Sequence, residues 1–220
     1  MRIIGNDPSV PRQTQEVASG TLPNGKPVVV NADGTVSAVS ATGGGAAFGT
    51  PVVFNDAESI YESATFDSNS NKVVISYRDS AAGDNGYAVV GTVSGSSISF
   101  GTPVAFNSGT GSTNYTAITF DSNSNKVVIA YQDGGNSSYG TAIVGTVSGD
   151  SISFGTEVVF NSGNSDFITS TFDSSNNKVV IAYRDQGNNQ YGTAVVGTVS
   201  GTSISFGSEV VYNSTFTTYN

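Results

Sequence analysis

An all-β fold of tandem four-stranded antiparallel units follows from three features of the sequence: a near-verbatim internal repeat, β-branched runs bounded by turn formers, and a shortage of charge. Three segments repeat almost letter for letter, TFDSNSNKVVISYRD from Thr65, TFDSNSNKVVIAYQD from Thr119 and TFDSSNNKVVIAYRD from Thr171, at offsets of 54 and 52 residues. Each is followed by a second block, AVVGTVSGSSISFGTPVAFN from Ala88, AIVGTVSGDSISFGTEVVFN from Ala142 and AVVGTVSGTSISFGSEVVYN from Ala194. The repeating unit therefore spans both blocks. Only 11% of residues are charged, against 37% hydrophobic, and the 27 glycines mark turns between short strands.

Within one period the elements read in order. Tyr115 to Phe120 is a first strand, Asp121 to Asn125 a turn, and Lys126 to Gln132 a second strand rich in β-branched residues. After the polar loop Asp133 to Gly140 come a third strand, Thr141 to Val147, a tight turn, Ser148 to Ser151, and a fourth strand, Ile152 to Phe160. Val127-Val128-Ile129 and Ala142-Ile143-Val144 are runs rather than alternations, so these strands are expected to meet apolar partners on both faces. Four-stranded meanders covered on both sides describe a β-propeller of four to five blades better than a two-layer sandwich.

The region from 14 to 55 reads as a worn copy, anchored by GTPVVFN at Gly49 to Asn55, which recurs as GTPVAFN from Gly101. The organisation expected is an N-terminal arm, 1–13, and a repeat domain, 14–220, with units at 14–55, 56–107, 108–161 and 162–213. A partial strand at 214–220 is expected to be ordered by pairing with the N-terminal unit or with a neighbouring subunit, since an open sheet edge invites association.

Composition narrows the function. The net charge of −9 would repel a phosphate backbone, so nucleic acid is not an expected partner. Without cysteine or histidine there are no disulfides, thiolate metal sites, thiol nucleophiles or imidazole bases. No run approaches the roughly 18 apolar residues of a membrane helix, and MRIIGNDPSVPRQ lacks the apolar stretch of a secretory signal. DSNSN at Asp67 and Asp121 opens like a calcium loop, but Lys72 and Lys126 stand where glycine is required, so it reads as a hairpin turn and no metal or cofactor is expected. The acidic residues fall mainly at turns, which argues against a catalytic carboxylate pair.

One constellation remains as a binding candidate. Tyr77-Arg78-Asp79, Tyr131-Gln132-Asp133 and Tyr183-Arg184-Asp185 recur at the end of the second strand, beside the longest loop. Phenol, guanidinium and carboxylate groups together can stack on and hydrogen-bond a sugar. The competing reading is that Tyr fills space between units, Asp caps the loop and Arg pairs locally.

The opening MRIIGNDPSVPRQTQEVASGTLPNGKPVVVNADGTVSAV followed by the TFDSNSNKVVIAYRD repeats resembles repeat-containing virion proteins of tailed phages, especially tail-fibre-like proteins. The resemblance implies a non-enzymatic structural or assembly protein of a virion or extracellular filament, contributing to host-surface attachment. Its expected partners are other subunits, reached through the N-terminal arm, and surface glycans. The alternative is a multivalent carbohydrate-binding propeller of lectin type.

Overall fold

The computed structural model describes residues 17–18, 21, 28–38, 49–109 and 111–218. About two thirds of them are strand, and no α-helix occurs among them. The chain divides into two compact units, residues 1–48 and 49–220. The arm expected at 1–13 lies outside the described residues.

In the first unit, β1 (Val17–Ala18), β2 (Val28–Val30) and β3 (Thr35–Ala38) form a sheet in the order β1-β3-β2, with β1 parallel to β3. This departs from the up-and-down order expected across 14–55. Gly49 to Asn55 also fall with the second unit, where the Phe54 ring meets Tyr77 and Phe100 at centroid distances of 5.1 and 5.9 Å. Aromatic burial against that sheet outweighs sequence adjacency to β3.

The second unit contains three successive antiparallel meanders. The first is β4 (Ser59–Asp67), β5 (Lys72–Asp79), β6 (Asn85–Ser94), β7 (Ser97–Phe100) and β8 (Val104–Asn107). β7 and β8 lie on the same edge of β6, pairing with Gly91–Ser94 and Gly86–Ala88, so the outer strand is one path broken at 101–103. The second meander is β9 (Thr113–Asp121), β10 (Lys126–Asp133), β11 (Tyr139–Ser148), β12 (Ser151–Phe154) and the start of β13 (Val158–Asp173). β13 then leaves β11 and pairs with β14 (Lys178–Asp185), which opens the third meander with β15 (Tyr191–Ser200), β16 (Ser203–Phe206) and β17 (Val210–Phe216). Sharing β13 joins the last two meanders into one nine-stranded sheet, and one of the sheets curls into a half-barrel.

Local chemistry sets the turns. The Asp67, Asp121 and Asp173 carboxylates accept hydrogen bonds from the backbone N–H groups two and three residues ahead, and Asn71, Asn125 and Asn177 complete each turn with φ of 54–56°. Asn tolerates that left-handed region better than any residue but glycine. In the two-residue hairpins, Gly95, Gly149 and Gly201 hold φ of 59–62° at the first central position, as tight hairpins require.

The middle meander is buried on both faces, as its apolar runs imply. Val127, Ile129, Tyr131 and Ile143 pack with Val74, Ala88, Val90 and Phe106 of the first meander. Val128, Ala130, Ala142 and Val144 pack with Ile168, Val179, Ile181 and Tyr183 of the third. Alternate residues of one strand thus serve two cores.

The end of the chain does not pair as expected. β17 runs antiparallel to β15 of its own meander, with Tyr191 opposite Phe216, and the Thr217 N–H donates to the Gln190 carbonyl. The 214–218 stretch therefore completes its own sheet rather than another unit's, and Phe216 stays exposed; Tyr219 lies outside the described residues. The physical reason is that β15 is ten residues long and leaves its first half unpaired until β17 covers it.

Candidate functional site

The repeated Tyr-Arg/Gln-Asp step ends β5, β10 and β14, and the pleat divides its side chains between two tasks. The rings of Tyr77, Tyr131 and Tyr183 are fully buried, each 5.1 Å from an aromatic ring of the preceding segment, Phe54, Phe106 and Phe160. The Tyr131 hydroxyl donates to Glu157 Oε1 at 2.6 Å. A ring without an exposed face gives a sugar nothing to stack on, so the stacking role expected of these three tyrosines is corrected to one of filling the space between sheets. Asp79, Asp133 and Asp185 cap the following loops, accepting from the N–H groups of Ala81, Gly135 and Gly187 at 2.9, 3.0 and 2.9 Å.

The middle residue of each step points the other way, and in the first two steps it links one sheet to the next. Arg78 Nη1 donates to Asn114 Oδ1 at 2.5 Å, and Asn114 Nδ2 donates to Gln132 Oε1 at 2.8 Å. Gln132 Nε2 donates in turn to Asn164 Oδ1, the Ser165 carbonyl and Asp166 Oδ1 at 2.9, 3.0 and 2.8 Å. Asp166 also accepts from Arg184 Nη2 at 2.5 Å and from Gln186 Nε2. Residues 132, 165 and 166 are buried, where an unmet polar group is costly, and the chain of partners removes that cost.

Beside this polar chain runs a row of aromatic rings that the sequence reading missed. Tyr61 and Tyr115 sit at β-bulges near the starts of β4 and β9, and Phe167 sits at one in the second half of β13, with φ of 59°, 52° and 48°. Bulky residues seldom occupy that region, and where they do the surrounding structure holds them there. Successive rings lie 4.9 and 5.2 Å apart, with the Arg78 guanidinium 5.2 Å from the Tyr61 ring and that of Arg184 4.5 Å from Phe167. The sequence signal was an aromatic residue four positions before each TFD, at the same 54 and 52 residue offsets. Half-buried rings flanked by guanidinium and amide groups form an amphipathic strip able to contact a hydroxyl-rich surface.

A polar cleft of about 380 Å³ lies elsewhere, between residues 107–109 and 133–136, with Asp133, Asn136 and Glu157 in its lining. Among the described residues no group of three or more acidic side chains is placed to hold a metal ion, and no helix is long and apolar enough to cross a membrane. Comparison with known protein families, curated proteins and solved structures finds no match.

The buried phenols make an alkaline prediction. Burial, reinforced by Asp79 and Tyr87, pushes Tyr77 from 10.0 up to about 12, and burial raises Tyr131 and Tyr183 as well. A folded-state pKa above the unfolded one means that the native state holds its proton longer. That stability is complete below about pH 10 and is lost as the pH climbs toward 12. Phenolate absorbance should show the accessible members of the ten tyrosines ionising first, and the buried ones only together with loss of the β circular dichroism signal. Ionisation of all ten in one step near pH 10 with the signal intact would contradict the burial.

Proposed function

We propose that the chain is a non-enzymatic structural and assembly protein of a virion or extracellular filament, its repeats forming blades of a propeller-like array of tandem four-stranded units. The observation that carries this reading is where the repeated side chains go. At each repeat the tyrosine fills the gap between sheets and the aspartate closes the loop, and in the first two repeats Arg78 and Gln132 bond across that gap. Residues duplicated three times are thus spent on holding successive sheets together, which is what a rigid scaffold needs. Residues 1–13, with Pro8 and Pro11, serve as the docking arm to a partner subunit. Electron microscopy and sedimentation of the purified chain should show multi-copy particles or filaments, and deletion of 1–13 should abolish them while leaving the β signal unchanged. A parent protein that stays monomeric overturns the reading; assembly without the arm overturns the arm's role.

The aromatic strip favours a second reading, a carbohydrate-binding propeller of lectin type that attaches the particle to a host surface. Three similar sites on one chain would multiply a weak affinity through avidity. On a glycan array the parent should bind a bacterial or algal polysaccharide and Tyr115→Ala should lose most of that signal. Silence of a folded parent across the array excludes this reading.

A further inference from the structure

One recurring hydrogen bond shows where the second repeat is longer than its neighbours. The N–H groups of Ser80, Gly134 and Gln186 donate to the carbonyls of Glu58, Ser112 and Asn164 at 3.1, 2.8 and 2.9 Å. Those acceptors follow Asn55, Asn107 and Asn161 in the chain by three, five and three residues. The two extra residues of the second repeat therefore fall within 108–111, beside the polar cleft that Asn107, Ser108 and Gly109 help to line.

Without the insertion the corresponding loops close on each other. In the third repeat a Cβ on Gly187 would stand 3.8 Å from Gly163 Cα, one on Gly163 would stand 3.2 Å from Asp185 Oδ1, and Asn161 Nδ2 donates to Ser165 Oγ at 3.0 Å. In the second repeat the close approach passes to Gly111, with φ of 106°, where a Cβ would strike the Gly135 nitrogen; only glycine fits there. Gly109, in the place of Gly163, is held off: among the described residues a Cβ there would meet only Asn107 Oδ1, at 3.7 Å. Asn107 Nδ2 turns to Asp133 Oδ1 at 3.3 Å. The Thr113 hydroxyl, which stands where Ser165 receives Asn161, is fully buried and has no hydrogen-bond partner among the described residues. The open cleft thus carries the cost of an unpaired buried hydroxyl, and such costs persist where a site needs the geometry.

A cleft of about 380 Å³ has the size of a small-molecule site. Its side chains include two carboxylates, Asp133 and Glu157, and two amides, Asn107 and Asn136. Neither carboxylate forms an ion pair among the described residues, and no lysine or arginine lines the cleft. Asp133 accepts its internal hydrogen bonds on Oδ1 and Glu157 accepts that of Tyr131 on Oε1, which leaves Oδ2 and Oε2 for a ligand. With no third acidic side chain beside them among the described residues, they suit an ammonium group better than a bare divalent cation.

We propose that this cleft binds an amino sugar, whose ammonium group pairs with the Asp133 and Glu157 carboxylates and whose hydroxyls bond the Asn107 and Asn136 amides. The two carboxylates repel an acidic sugar. The site goes beyond both readings above, since none of the rings of the aromatic strip lines it.

Isothermal titration at physiological salt with a glucosamine tetrasaccharide, its N-acetylated form and a galacturonate tetrasaccharide tests the assignment. The parent should bind the first, bind the second about tenfold more weakly or worse, and ignore the third. Glu157→Gln keeps an acceptor for the Tyr131 hydroxyl and should weaken glucosamine binding by about tenfold or more. Deleting Thr110 and Gly111 restores the loop length of the third repeat and should abolish binding with the parent's circular dichroism retained. Asn136→Ala, at an exposed residue, should weaken binding several-fold and stands in for the deletion if that variant unfolds. A folded parent that binds none of the three, or binds the N-acetylated form equally well, overturns the inference. So do cleft variants that bind like the parent, which would mark non-specific attraction to a chain of net charge −9. Tyr115→Ala, run alongside, separates the sites: binding lost there and unchanged in the cleft variants moves the sugar to the strip.

Discussion

Replacing Tyr131 by alanine is expected to destabilise the fold by about 3–5 kcal/mol, the range found when a large buried aromatic is truncated to a methyl group. The ring is fully buried between the first and second meanders, within a cluster that includes Val74, Val90, Ile118 and Ile129, and it lies 5.1 Å from Phe106. Both neighbouring sheets are held by their own hydrogen bonds, so neither can collapse into the space, and the cavity term adds to the lost transfer energy. For a chain of this size the loss corresponds to a fall in melting temperature of about 6–20 °C. Tyr131→Phe separates the ring from its hydroxyl. It removes only the donor to Glu157, and because Glu157 is exposed to water the cost should be about 0.5–1.5 kcal/mol. Denaturant titration of both variants checks the ratio; equal losses would assign the stability to the hydrogen bond rather than to packing.

Those features governed by neighbours in sequence were legible before the structure. The hairpin at Asp121 to Asn125 needs only a carboxylate that accepts two nearby N–H groups and an asparagine that tolerates positive φ. The burial of the middle meander on both faces was also legible, since Val127-Val128-Ile129 has no polar residue to give to water. Features set by contact between sheets were not. The outer strand breaks at Gly155 because the Thr202 turn presses against it, and those residues are 47 positions apart. β13 runs unbroken through the boundary expected at 161–162, since one strand serves two sheets. Nor does local sequence say which face of the Tyr-Arg/Gln-Asp step turns inward: the phenols were candidates for sugar contact until the phenylalanines 23 to 25 residues before them in the chain proved to cover them.

Asp166→Ala should be as damaging as the loss of the Tyr131 ring, through charge rather than volume. The Asp166 carboxylate is 4% exposed and receives hydrogen bonds from Gln132, Arg184 and Gln186, so it closes the polar chain that ties the second sheet to the third. Its removal leaves the Arg184 guanidinium, whose side chain is only 13% accessible, without its carboxylate. Breaking one side of a buried pair in this way typically costs 3–5 kcal/mol, because a desolvated charge is left uncompensated. The attraction of the Arg184 cation to the Phe167 ring, 4.5 Å away, is too weak to replace it. The same reasoning predicts that Asp166→Leu combined with Arg184→Met recovers most of the loss, since neither member then leaves a charge behind. A double-mutant cycle read by denaturant unfolding tests this: strong positive coupling is the expected result. If the double variant is as unstable as the sum of its parts, the pair contributes packing alone and its electrostatic contribution is refuted.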